Sequence, residues 1–512
     1  MITGVIAAQA LHLPHVNYTT IMPELILLGG MLVLLLVSAL FKKALPRDFY
    51  ATSVVGVGVA SLIASLVLYH DVASHGPFTA IAHSIDIDGF SVLFLTLVSC
   101  IMIVYPFFAH AYLQREGLDG VEFFALPLIS GAGAMFMASA NDLILIFLGL
   151  EILSLPLYVM AGMDQRREAS GEAAMKYFIM GAFSSAIFLY GMALTYGATG
   201  SLNLAEISAF LAKNYIFGNG VLLAGMGLLL IGFLFKIAAV PFHYWSPDVY
   251  QGSPTIATGF MAAIAKAGAF AAMIRVFMAT FPTLASDWQP LLWVIVVLTT
   301  LFGAVVALVQ KDVKRMLAYS SINQAGFILL GLQADTSKGI GASLYYVFIY
   351  SFLILGTFAV VAIAGARGDA IHDIDDLRGY AKSHPFLATS LAIFLVAQAG
   401  APFTTGFLAK LQVVTAAIDA HSYALAVIAM ISAAIATGFY LRIVYVMFGD
   451  GTDTRVSVPA EKEVYSVSPL GQLGVSPWLF TGIVLCLSVT ILFGFWPQPL
   501  VDFATHAKLL FV

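Results

Sequence analysis

Gly232 to Pro254 reads GFLFKIAAVPFHYWSPDVYQGSP, the end of a long apolar run that holds Lys236 and then Pro241. A charge is expensive in hydrocarbon, and a proline removes a backbone donor and breaks the helix ladder. A membrane helix tolerates both only where the charge and the freed backbone groups face protein or water. The stretch therefore predicts an interrupted helix in the interior of a membrane bundle.

The rest of the chain agrees. Of 512 residues, 61% are hydrophobic and only 10% charged, with a mean hydropathy of +0.95. That is too little charge to cover a soluble surface. Apolar runs of about 20 residues, the length that crosses a bilayer as helix, predict fourteen spans: 21–41, 50–70, 89–114, 121–139, 142–163, 171–198, 219–250, 254–280, 289–310, 316–333, 340–366, 384–419, 422–448 and 475–496. The fold class is thus an all-α polytopic membrane protein. The longest polar insert, 449–474, is too short for a domain, and the first apolar stretch lacks the basic leader of a signal peptide. Cys100 and Cys486 both lie in apolar runs, too few for a disulfide framework or a four-thiolate metal or iron–sulfur site.

Basic residues set the orientation. With the N-terminus outside, one side receives Lys42, Lys43, Arg47, Arg115, Arg166, Arg167, Lys311, Lys314, Arg315, Arg367, Arg378, Lys382, Arg442, Arg455 and Lys462. The other receives Lys213, Arg275, Lys338 and Lys508. Both termini are expected on the periplasmic side of a bacterial inner membrane. The four lysines left over, Lys176, Lys236, Lys266 and Lys410, fall inside spans, and so does Glu151. Glu24 and Asp142 sit at span starts, where water is at hand.

A charge at the centre of a membrane helix costs about 2.5–3.5 kcal/mol, so five cost roughly 12–18 kcal/mol unless paired or hydrated. They are expected to meet partners inside the bundle. Lysine is the informative choice, because arginine stays protonated almost everywhere whereas a buried lysine can lose and regain its proton. A nearby carboxylate, Glu151 for Lys236, would decide which form is held. The span with Lys410 reads LVAQAGAPFTTGFLAKLQ and contains Pro402. Lys236 on span seven and Lys410 on span twelve are five spans apart, an odd shift that reverses direction, which suggests inverted repeats. The expected domains are 1–120 (spans 1–3), 121–280 (first repeat), 289–448 (second repeat) and 449–512 (loop and last span). Ser154, Tyr158, Ser184, Ser185, His243, Thr258, Tyr319, Ser320, Ser321, Asn323, Gln324, Tyr346 and Thr405 are polar side chains able to carry water between the charges. Each is equally at home as a helix-packing group. His243 reads as an interfacial residue bonded to carbonyls freed by Pro241, and Trp245 as an interface anchor.

The runs ASANDLILIFLGLEILSLPLYV (138–159), GEAAMKYFIMGAFSSAIFLYG (171–191), FKIAAVPFHYWSPDVYQGSP (235–254) and DVKRMLAYSSI (312–322) closely resemble the antiporter-like membrane subunits of NADH-quinone oxidoreductase, respiratory complex I. The N-type branch, related to mitochondrial subunit 2, is favoured: Lys410 stands where the M-type is expected to carry glutamate, and there is no L-type lateral helix. The resemblance covers roughly 126–448; the first three spans and the last match only in hydropathy. It implies fourteen helices, two inverted five-helix repeats broken at the seventh and twelfth, and a proton relay from Glu151 and Lys236 through Lys266 to Lys410. Lys176 takes a supporting role. After LAYSSI the family often shows a histidine, whereas this chain has Asn323 and Gln324.

The resemblance further implies a proton-translocating translocase subunit with no cofactor of its own, the NADH, FMN, iron–sulfur and quinone chemistry residing in partner subunits. Expected neighbours are M-type and small K/J-type subunits, the lateral helix of an L-type subunit, and lipid; no nucleic acid is expected. Three rivals stay open: a subunit of a multi-subunit sodium/proton antiporter, the membrane arm of a hydrogenase, and an assembly subunit whose charges only hold helices together.

Overall fold

The computed structural model describes residues 16–41, 45–118, 120–214, 219–365, 369, 373–450, 475–507 and 509. Lys42, Lys43, Arg367, Arg455, Lys462 and Lys508, used above for orientation, lie outside the described residues, as does most of the 449–474 insert. The chain runs through α1 (Met22–Leu40), α2 (Arg47–His75), a hairpin of β1 (Phe78–Ala80) and β2 (Ile85–Ile87), α3 (Gly89–Glu116), α4 (Glu122–Ser139), α5 (Leu143–Ala161), α6 (Glu168–Thr199) and α7 (Leu204–Lys213). It continues through α8 (Gly220–Lys236), α9 (Trp245–Gly252), α10 (Thr255–Arg275), α11 (Ala285–Val309), α12 (Val313–Gln333) and α13 (Ser337–Ala364). The last elements are α14 (Tyr380–Ser383), α15 (Pro385–Ala399), α16 (Thr405–Asp419), α17 (Tyr423–Phe448), α18 (Pro477–Phe495) and α19 (Gln498–His506).

Among the described residues, 11 helices are long and apolar enough to cross a membrane. The other three expected spans are the instructive ones. Spans seven and twelve are each split in two, as α8–α9 and α15–α16, while α12 is lowered in hydropathy by Ser320, Ser321, Asn323 and Gln324.

Two helices form the centre. α10 is enclosed throughout and packs along α13, itself almost wholly buried, while α1, α2, α6, α11, α17 and α18 turn large apolar faces outward. The composition of α10 permits this: TIATGFMAAIAKAGAFAAMIR is rich in small residues, so neighbours approach from every side. The same device brings α4 against α5. A Cβ at Gly133 would lie 2.3 Å from the backbone nitrogen of Leu153, so only glycine permits this crossing. In each half of the bundle the packing follows one order. α4 lies along α5 with α10 returning onto α4, and α11 lies along α12 with α17 returning onto α11.

The breaks have local causes. α8 stops at Lys236, and Ala238 adopts φ +60°. The freed groups are met: Val240 N donates to Thr299 Oγ1 at 3.1 Å and Trp245 Nε1 to Phe235 O at 2.9 Å. α15 ends in the left-handed Gly400, a common helix stop. After Pro402 the chain restarts at Thr404, whose hydroxyl caps α16.

Candidate functional site

Lys236 ends α8 at the first break, buried among α5, α6 and α9. Its Nζ donates to Ser154 Oγ on α5 and lies 5.5 and 5.6 Å from the ring centres of Tyr158 and Tyr177. Glu151, one turn before Ser154, accepts from Ser185 of α6. The two charges therefore sit along one helix face but form no direct ion pair within 4.0 Å among the described residues; Ser154 stands in the partner's place. Glu151 is half-buried, toward the outside of the bundle. His243 is buried in the break, with its ring 4.8 Å from Phe302 and 6.5 Å from Tyr319.

Lys266 lies on the central helix α10 and donates to both the backbone oxygen and the hydroxyl of Ser321. Tyr350 donates to the same hydroxyl at 2.7 Å, and Tyr250 lies 3.4 Å from it. The neighbouring Ser320 bonds Tyr440 of α17. Gln324 Nε2 then donates to Tyr440 at 2.9 Å and to Gln398 O at 3.0 Å, while Tyr346 donates to Gln324 Oε1. Lys410, folded back from α16, donates to Ala399 O at 2.8 Å, a carbonyl freed by the second break, and lies 4.9 Å from the ring centre of Phe327. Hydrogen bonds and adjacent residues thus run from Lys266 to the Lys410 site. No hydrogen bond among the described residues joins Lys236 to Lys266.

Buried ammonium groups held by hydroxyl and carbonyl oxygens, with no ion-paired carboxylate, can exchange a proton with little rearrangement. The transmembrane-segment model of the NADH:quinone oxidoreductase/Mrp antiporter family matches residues 140–436, the region that holds all three lysines. The chain belongs to that family. It is 43% identical over 405 residues to NADH-quinone oxidoreductase subunit N of Mycobacterium bovis, covering 78% of this chain and 73% of that one. Among solved structures it resembles a chain of respiratory complex I from Thermus thermophilus, with 30% identity, a TM-score of 0.75, and 95% and 100% of the two chains covered. A chain of the Mrp complex from Dietzia shares the fold at 22% identity and a TM-score of 0.82, covering 95% and 97% of the two chains.

Several side chains lie where their sequence context did not place them. Lys176 is not a mid-span buried lysine. It is 38% exposed and pairs with Glu172 at 2.7 Å and Asp248 at 2.8 Å, because it faces the gap where α9 ends. Trp245 is not at the interface; it is buried, stacked 4.6 Å from Tyr177, with its indole N–H closing the break. Of the pair that replaces the family histidine, Gln324 faces the lysines, whereas Asn323 ties α12 to Thr300 O and Ser432. Glu24, expected at a wet span start, is fully buried. Pro241 and Pro402 lie within the two breaks with exposed rings.

Two ionic clusters close the ends of the bundle, and the sequence had marked neither. At the basic end, Asp369 faces Arg167 at 3.1 Å, Arg115 at 3.6 Å and Lys314 at 3.7 Å, and accepts from Tyr112 and Thr255 N. Burial pushes its carboxyl up, yet Lys314 and Arg115 hold it below its ordinary value. At the hairpin end, Arg275, placed by the sequence toward the outer end of its span, is buried against Asp86 and Asp88. Neither carboxylate signals burial in sequence: Asp86 lies in the short strand β2 and Asp88 caps α3.

Proposed function

We propose that this chain is a proton-translocating membrane subunit of an NADH:quinone oxidoreductase. The observation that carries the reading is the set of three buried lysines, Lys236, Lys266 and Lys410, each donating to hydroxyl or carbonyl oxygens and, among the described residues, without a carboxylate pair. The likeness to subunit N supplies the complex. On this reading Lys236 is loaded from the basic, cytoplasmic end with Glu151 biasing its charge. The proton passes Lys266 and the Ser320–Tyr440–Gln324 link, and Lys410 delivers it to the periplasmic side, where both termini lie. Moving a charge against the potential takes about 2.3 kcal/mol per 100 mV, which oxidation of NADH by quinone in partner subunits would supply. FMN, iron–sulfur clusters and quinone belong to those partners. Neighbours on the lipid-facing sides would be M-type and K/J-type subunits, and the L-type lateral helix. The matched packing orders of the two halves support inverted repeats at 121–280 and 289–448.

The test is Lys236→Ala in the assembled complex. NADH oxidation coupled to proton uptake in inverted membrane vesicles should collapse while assembly persists; normal pumping would overturn the relay. The antiporter reading draws on the closer backbone likeness to the Mrp chain, and sodium-dependent transport without co-purifying NADH dehydrogenase would favour it.

A further inference from the structure

The hairpin end holds a titratable cluster that the relay does not use. Arg275, at the end of α10, sends Nη2 to Asp88 Oδ1 at 2.9 Å, Nη1 to Asp88 Oδ2 at 3.0 Å, and Nε to Ala138 O at 2.9 Å. Phe90 covers the guanidinium with its ring centre 5.0 Å away. Asp88 is thus engaged through both oxygens, and it also caps α3 by accepting from Ser91 N at 2.7 Å. Asp86 is held far less. One oxygen lies 3.3 Å from Arg275 Nη1, and the other, Oδ1, is buried with no hydrogen-bond partner among the described residues.

Two carboxylates and one guanidinium, all almost wholly buried, leave one negative charge uncompensated if both acids ionise. That charge falls on Asp86, the weaker partner of Arg275, and a proton neutralises it. Burial raises the Asp86 carboxyl to about 7, with Arg275 opposing the rise and Asp88 adding to it. Among the described residues, the charged groups acting on it are Arg275 from α10 and Asp88 from the start of α3.

A polar cavity lies beside Thr79, the cross-strand neighbour of Asp86. In the hairpin register Thr79 lies opposite Asp86, so the two side chains share one face of the strand pair. Thr79 Oγ1 is 2.7 Å from His83 Nδ1. Thr79, His83, Ser84, Asn141, Asp142 and Glu206 line a cavity of about 400 Å³ at this end. On the other side, Arg275 belongs to the same buried helix as Lys266, and α10 passes into a π-turn, Val276–Thr280, directly after it; π-turns within helices often mark functional sites.

We propose that Asp86 is a further proton-binding site of this chain, exchanging with water through the Thr79–His83 cavity and linked by Arg275 to the helix that carries Lys266. The step is a protonation alone: the carboxylate of Asp86 gains or loses one proton, and Arg275 keeps Asp88 throughout. Its effect on transport rests on the pumping function proposed above; its titration does not.

The experiment uses the purified native complex and inverted vesicles made from the same cells. Infrared titration should show a carboxylic acid signal with a midpoint near about 7, lost in Asp86→Asn and retained with a shifted midpoint in Asp86→Glu. Because asparagine mimics the protonated acid, proton uptake by Asp86→Asn should match the native rate when the vesicle lumen is well below that midpoint. Well above it, uptake should fall severalfold. An unchanged infrared titration in Asp86→Asn, or uptake that tracks native at every lumen pH, would overturn the assignment. Should Asp86→Asn not assemble, an unshifted midpoint in Asp86→Glu has the same force. Lys236→Ala separates the two ideas: it should stop pumping yet keep the Asp86 titration, and normal pumping in it would remove the relay while the infrared signal still decides the site.

Discussion

Gly133→Ala adds one methyl group at the crossing of α4 and α5, and its effect should appear at Lys236. The new Cβ would lie 2.3 Å from Leu153 N and 2.7 Å from Gly149 O. Both are backbone atoms, so no side chain can rotate away. Ordinary contact begins at 3.4 Å, leaving a shortfall of roughly 1 Å that α5 must supply by withdrawing. Leu153 directly precedes Ser154 on that helix, so the retreat stretches the Ser154–Lys236 hydrogen bond toward its limit. Overpacking of this kind costs about 1–3 kcal/mol, within reach of assembly in a large bundle. A misplacement of about 1 Å can slow a reaction about 100-fold, so pumping per assembled complex should fall at least ~10-fold. The assay is NADH-driven proton uptake in inverted vesicles, normalised to complex content on native gels. Gly131→Ala is the control on the same helix: its Cβ meets only side-chain ends, Met102 Cε at 3.0 Å and Leu27 Cδ1 at 3.3 Å. Native pumping by Gly133→Ala, or equal damage from Gly131→Ala, would refute the argument.

Gln324→Leu removes the bonds to Tyr440, Gln398 O and Tyr346. At about 0.6 kcal/mol for an average buried membrane bond, thermal unfolding should register about 2 kcal/mol, and pumping should fall because Tyr440 and Gln398 lose their only described link. Asp369→Asn leaves Arg115, Arg167 and Lys314 facing one another, and breaking a buried pair costs about 3–5 kcal/mol. Because the Asp369 carboxyl is held below its ordinary value of 3.8, its contribution is complete above that pH and is lost as pH falls through the lowered one. Thermal unfolding followed against pH should be flat near neutrality, drop in strong acid, and lose that drop in the variant. Trp245→Phe removes the indole donor from Phe235 O, which keeps the Ala238 N–H, a loss of about 0.5–1.5 kcal/mol measurable by the same melts; an unchanged melting temperature would mean the first break is held by other contacts.

Hydrophobic density and the two Pro-containing runs were enough to read a membrane bundle with two interrupted helices, and Lys236, Lys266 and Lys410 as its buried charges. Those features are local. A span is defined by its own residues, and a lysine amid twenty apolar neighbours has nowhere to go but inward. Partners are not local. Whether Glu151 meets Lys236 or Ser185, whether Lys176 is buried or paired at an edge, and whether Trp245 anchors at an interface or closes a break depend on which helix arrives alongside. The same holds for Tyr440 and Gln398, whose link to Gln324 joins helices distant in the chain. Arg275 and Asp86 are the extreme case: each lies near a span end, and only the packing of α3, α4 and α10 takes both out of water. Burial of a charge at a helix end is set by what covers that end, and the cover comes from elsewhere in the chain.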